Sequence, residues 1–281
     1  MQLFWPVALF ILGSIFGSFL NVCIYRLPRD KSPWNPSRSY CPHCHEKIAW
    51  YDNIPLVSWF ALGAQCRHCG SYISPRYAVV EFLTASVFAL TYLVMSGRGE
   101  PAPVIAVYLG LMCLLILSSF IDLELRIIPN EITLGGAALA PVVSVFIPEL
   151  HANPALGRAF VFNHESLFWG PLWACLAGMA AGALVTWLSG VAGKALFRRE
   201  AMGFGDVKFM ALIGGFLGWL PVLIIFFLAA LLGAVGGVAH LLRTRGHHIP
   251  YGPFLSVAAA VVMLWGDKVL ALLKWAQIGG E

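Results

Sequence analysis

The sequence predicts an all-α polytopic membrane protein of about eight transmembrane helices, carrying one small polar insertion. Three observations predict it. The 281 residues are 59% hydrophobic and only 11% charged, whereas a soluble domain carries roughly a quarter charged residues. Several apolar runs approach the roughly 20 residues that a helix needs to cross a bilayer. A soluble chain of this composition would need many helices apolar on every side, which excludes an ordinary globular enzyme. Third, the stretch between the first two runs is polar and holds four of the seven cysteines.

The predicted spans run over about 3–25, 78–96, 104–121, 132–148, 167–192, 207–219, 221–241 and 253–273. The sixth is short and glycine-rich (Gly214, Gly215, Gly218), as expected of a tilted or broken helix shielded by its neighbours. The first lacks a basic start and a small-residue cleavage site, and Arg26 follows it, so it reads as a span and not as a removable signal. The chain divides into a first transmembrane segment (1–27), an insertion (28–77) and a transmembrane core (78–281).

Basic residues orient these spans. Loops 26–77, 122–131, 193–206 and 242–252 fall on one side and carry seven, one, three and two Lys or Arg, with Lys208 just inside the sixth span. The other side holds only Arg98, Arg158, Lys268 and Lys274. The basic side is expected to be cytoplasmic, which puts the insertion in the cytoplasm and both termini outside. Membrane lipid is the surrounding partner, and no nucleic-acid partner is expected.

In the insertion, Cys41 and Cys44 form one Cys-x-x-Cys pair and Cys66 and Cys69 another, 21 residues apart. Two such turns supply four thiolates for a tetrahedral zinc ion. Two disulfides are the alternative, which a reducing cytosol disfavours. His43, His45 and His68 are spare ligands. So small a segment has little core, and metal binding would supply much of its folding energy. Cys23, Cys113 and Cys175 lie in apolar spans, as small core residues do.

Two aspartates stand at the cytoplasmic ends of spans: Asp122 in "SSFIDLELRIIPN" and Asp206 in "MGFGDVKFMALIGGFLGW". Two carboxyls close together in a shielded site share one proton near neutral pH. The ionised one can take a proton from water while the protonated one polarises a carbonyl. Each also has a structural alternative: Asp122 as an interfacial charge beside Arg126, Asp206 as a helix cap.

"GFGD" at 203–206 matches the Gly-x-Gly-Asp signature of intramembrane aspartyl proteases, and the whole chain resembles the type IV prepilin peptidases, bifunctional leader peptidases and N-methyltransferases. The resemblance is carried by "FGSFLNVCIYRLP" (16–28), the paired Cys-x-x-Cys insertion, "SPRYAVVEFLTA" (74–85), "IDLELRIIPN" (121–130), "GFGDVKFMALIGGFLGW" (203–219) and "IPYGPFLSVAA" (249–259). It implies a bacterial inner-membrane enzyme with Asp122 and Asp206 as its catalytic pair. The implied substrates are type IV prepilins or type II secretion pseudopilins, cut after a glycine and then methylated on the new N-terminal residue with S-adenosylmethionine. Glu81, Asn21 and Arg26 are the methyl-donor candidates it implies, with Gly17 and Ser18 beside them. Asn130 departs from the pattern, since many members carry aspartate there. An ion-coupled transporter with a zinc-stapled loop is the rival from another class, but it predicts mid-membrane acids and an internal repeat. A presenilin-like protease would need a Tyr-Asp inside a span, and the only one here is Tyr51-Asp52. A peptidase without methylation would lack the four cysteines.

Overall fold

The computed structural model describes residues 3–35, 39–151, 169–198, 202–244 and 250–278. Among these residues it is helical, with no strand and only two isolated β-bridges, Tyr40 with Lys47 and Gln65 with Tyr72. The helices are α1 (Phe4–Arg26), α2 (Val57–Ala61), α3 (Arg76–Gly97), α4 (Ala102–Leu125), α5 (Asn130–Phe146), α6 (Trp169–Phe197), α7 (Phe204–Leu217), α8 (Trp219–Thr244) and α9 (Gly252–Ile278). Four charges counted for orientation, Arg38, Arg158, Arg199 and Arg245, lie outside the described residues.

Among the described residues six helices, not eight, are long and apolar enough to cross a membrane: α1, α3, α4, α6, α8 and α9. The expected fourth and sixth spans are α5 and α7, of 17 and 14 residues. At 1.5 Å per residue a 14-residue helix reaches only ~21 Å, short of a ~30 Å hydrocarbon core. Hydropathy marks such segments as apolar without showing where the backbone leaves the helix. Pro129 sets the start of α5, and Gly218, at φ +89°, turns the chain from α7 into α8.

The chain forms two compact units. In the first, which holds the residues up to Glu100 and Tyr108–Leu117, α1 and α3 run antiparallel in close contact. A Cβ added at Gly13 would stand 2.8 Å from the Ala85 Cα, and one at Gly17 would stand 2.7 Å from the Glu81 Cα. Four residues further along α1, Asn21 meets Tyr77, one turn before Glu81. Small residues permit this approach where lipid supplies no hydrophobic drive between helices.

The second unit holds Pro101–Val107 and the residues from Ser118 onward. At its centre α7 packs against α5, α6 and α8. Phe209, Met210 and every residue from Leu212 to Leu217 are buried, so α7 is enclosed on nearly all sides. Gly178 of α6 and Gly214 of α7 touch backbone to backbone, leaving no room for a side chain at either. A short helix at membrane depth is tolerable when neighbours enclose it in this way.

Candidate functional sites

The four cysteines of the insertion converge. The Sγ atoms of Cys41, Cys44, Cys66 and Cys69 all lie within 4.8 Å of one another, with Cys41 and Cys69 at 3.8 Å. Four sulfurs at 2.3 Å from a tetrahedral zinc would stand about 3.8 Å apart. Two matching turns build the cluster. Cys41 N–H donates to the Glu46 carbonyl and His45 N–H to the Cys41 carbonyl; Cys66 N–H donates to the Ser71 carbonyl and Gly70 N–H to the Cys66 carbonyl. His45 (φ +59°) and Gly70 (φ +68°), each following the second cysteine of its pair, take the left-handed conformation that closes the turn. The Tyr40–Lys47 and Gln65–Tyr72 bridges then lie at equivalent positions.

Charge in the cluster favours a cation. Burial alone would push the Cys41 thiol up, yet backbone hydrogen bonds at Cys44 and His43 and side-chain ones from Ser71 and Cys66 bring it down to about 6. At Cys44 a backbone hydrogen bond at Glu46 pulls downward, but desolvation and the thiols of Cys41, Cys69 and Cys66 drive it up to about 11. Hydrogen bonds from Ser71 hold Cys69 below the ordinary thiol value as well, so thiolates at Cys41 and Cys69 oppose ionisation of Cys44, an opposition that a divalent ion removes. The donor set fits zinc. All four cysteines are free of disulfides.

In the second unit, Asp122 lies at the end of α4, buried with 6% exposure. Its Oδ2 accepts a 2.8 Å hydrogen bond from the backbone N–H of Gly252, the first residue of α9. A Cβ at Gly252 would stand 2.8 Å from that oxygen, so a side chain there would push the carboxyl or this N–H out of place. Asp206 occupies the third position of α7, and its Oδ2 accepts from Gly203 N–H at 3.2 Å while its own N–H donates to the Gly203 carbonyl at 3.1 Å. The N-cap is therefore Gly203 and not Asp206, which sits one turn in and reaches back to the N-cap N–H. Burial raises the Asp206 carboxyl and the charge of Asp122 raises it further, to about 6, against the opposing Gly203 hydrogen bond. Asp206 therefore feels the charge of Asp122, 84 positions earlier in the chain.

Neighbouring residues take up defined places. Lys208 donates to Asn130 Oδ1 at 2.8 Å and lies 4.9 Å from the centre of the Phe204 ring. Asn130, where aspartate was expected, is thus an uncharged acceptor for this lysine. A Cβ at Gly203 or Gly205 would meet nothing closer than 3.5 or 3.6 Å. The surrounding protein does not demand glycine at either position.

The three remaining predicted site residues share one cavity of about 500 Å³ in the first unit, where Asn21, Arg26 and Glu81 join Tyr77 and Trp59 in the lining. Glu81, 8% exposed, accepts a 2.7 Å hydrogen bond from the N–H of Leu56. Leu56 sits at φ +64°, costly for a branched residue, and this bond helps hold it there. Arg26 is buried and donates to the carbonyls of Ser32 and Pro33 at 3.3 and 2.9 Å, bracing the start of the insertion. Asn21 donates from Nδ2 to the carbonyls of Gly17 and Tyr77, at 3.3 and 3.0 Å, while its buried Oδ1 has no partner.

Sequence reasoning missed Leu56, Trp59 and the Gly252 contact. Only the Pro-Tyr-Gly-Pro run at 250–253 carried a signal, since a glycine between prolines marks a constrained backbone.

Comparison with known proteins assigns the chain to a family. Residues 11–95 match the bacterial Peptidase A24 N-terminal domain and residues 109–238 match the type IV leader peptidase family. A prepilin leader peptidase/N-methyltransferase of Aeromonas hydrophila is 34% identical over 288 residues, covering 92% of this chain and 90% of that protein. Proteins of the same name from Myxococcus xanthus and Pseudomonas aeruginosa are 39% and 30% identical, covering 85% and 92% of this chain and 64% and 90% of their own lengths. No solved structure matches. With both halves matched and such relatives aligned over nearly its whole length, the chain belongs to the type IV leader peptidase family.

Proposed function

We propose that this chain cleaves the leader of type IV prepilins or type II secretion pseudopilins after a glycine, and then methylates the new N-terminal amine. The observation that carries the first half is the carboxyl pair. Asp122 and Asp206 come from separate helices, each is held by a backbone N–H, and the charge of Asp122 raises the Asp206 carboxyl. One carboxylate takes a proton from the attacking water while the other, protonated, donates to the scissile carbonyl. The proton then passes to the leaving amine. The basic-residue bias supports an inner-membrane enzyme with the aspartates and the cysteine insertion facing the cytoplasm, where a basic leader would stay. Incubating purified enzyme with a prepilin and sequencing the product tests this: the new N-terminus should follow the leader's glycine, and an uncut prepilin would overturn it.

Gly252→Ala is expected to reduce cleavage at least tenfold. The added methyl would displace either the Asp122 carboxyl or the N–H that orients it, and small misplacements at a reacting centre cost on the order of 100-fold. Steady-state cleavage rates check this.

The cavity at the α1–α3 seam supports the second half. Trp59 and Tyr77 are flat apolar walls that join the Glu81 carboxylate in the lining, features that suit an adenosyl sulfonium donor. S-adenosylmethionine would supply an activated methyl group there. The cysteine cluster, with zinc, would hold the insertion in shape. Glu81→Gln is expected to lower methylation more than cleavage, since an amide can still face Leu56 but cannot accept a proton. Mass spectrometry of the cleaved pilin reads this as correctly cut, unmethylated product; parallel loss of both activities contradicts it.

A further inference from the structure

Asn21 is held in an unusual way. Its Nδ2 is fixed by two backbone carbonyls, Gly17 of its own helix and Tyr77 of α3. That fixes which end of the amide is oxygen. The residue is 2% exposed, its Oδ1 has no partner, and it lines the cavity. A buried acceptor left unpaired is expensive, so its retention calls for a ligand. Glu81 lies beside it on the same seam, since Gly17 abuts Glu81 and Tyr77 lies one turn before Glu81. Leu56 N–H occupies Glu81 Oε2, and a carboxylate has about four lone-pair positions to offer.

We infer that Asn21 Oδ1 and the Glu81 carboxylate together bind the primary amine that receives the methyl group. This rests on the methyltransferase half of the proposed function. A neutral primary amine has two N–H donors and one lone pair. Two acceptors that engage both N–H groups leave the lone pair free and fix its direction, as a displacement at carbon requires. In the step, the nitrogen lone pair forms an N–C bond to the methyl carbon as the S–C bond breaks. The S–C electron pair stays on sulfur, which becomes a neutral thioether. The nitrogen's surplus proton goes to Glu81. Donor groups in the same place would instead compete for the lone pair, and Arg26 has donors engaged with the carbonyls of Ser32 and Pro33.

The donor has an amine of its own, so the test must separate the two sources. The probes are synthetic peptides with a mature pilin N-terminus, one with a free amine and one N-acetylated, titrated against full-length enzyme without donor. The wild type is expected to bind the free amine at least tenfold more tightly, the effect of about one buried hydrogen bond. Asn21→Leu is expected to erase that preference and leave S-adenosylmethionine affinity, measured separately by equilibrium dialysis, within twofold. Equal binding of both peptides to the wild type would overturn the inference without any variant needing to fold. So would an Asn21→Leu enzyme that loses donor affinity and keeps the peptide preference, which would give the site to the donor's amine. Failure of the underlying reading looks different: a wild-type enzyme that cuts prepilin and neither binds the donor nor methylates.

Discussion

Replacing Asp122 or Asp206 with asparagine is expected to lower leader cleavage by at least a factor of about 100 to 10,000, the usual worth of one general acid or base, while the protein stays folded. Asparagine has nearly the same shape. Its amide oxygen can still accept from Gly252 N–H at position 122 or from Gly203 N–H at position 206. Only the ability to ionise is lost, so each variant isolates the chemistry from the packing. Cleavage rates on purified variants with matched thermal unfolding decide it. Near-normal turnover in either variant would remove that residue from the reaction.

Removing the metal is expected to open the cysteine insertion and abolish methylation. Of the described residues from 31 to 79, only Cys41, Ser58 and Ala64 are buried, far too few to hold a domain of this size. Other cross-links are local: Arg67 pairs with Asp52 through bonds of 2.7 and 2.6 Å, and Glu81 holds Leu56. Those bonds tie residues 50–58 to the second cysteine turn and to α3, so the wall of the cavity depends on the cluster. Purified protein should contain about one zinc equivalent. Cys66→Ser with Cys69→Ser should make the insertion protease-sensitive and cost donor binding more than tenfold. A metal-free insertion that resists protease, or two disulfides there, would contradict this.

Much of the site was legible because its signals are local. Two Cys-x-x-Cys pairs bend the chain into matching turns whatever surrounds them, and the four sulfurs do converge. Asp122 and Asp206 each stand in a short motif at the end of an apolar run. What was not legible depends on contacts remote in sequence. Gly252 reaches Asp122 across 130 positions, and no periodicity announces a backbone N–H that serves as a ligand to a side chain. Leu56 adopts a positive φ because Glu81 holds it, a conformation its residue type argues against. Hydropathy overstated the number of full spans, since α5 and α7 are as apolar as their neighbours and only their length separates them. No protein atom presses on Gly203 or Gly205, so any close approach that these glycines permit is left to the substrate.

The most direct measurement is the intact mass of a purified prepilin after incubation with this enzyme, with and without S-adenosylmethionine, beside the Asp206→Asn variant. The wild type should remove the leader in both conditions and yield a product one methyl group heavier only when the donor is present, and the variant should leave the prepilin uncut. A prepilin cut by the variant at the wild-type rate, or left whole by the wild type, would contradict the assignment of cleavage to the carboxyl pair.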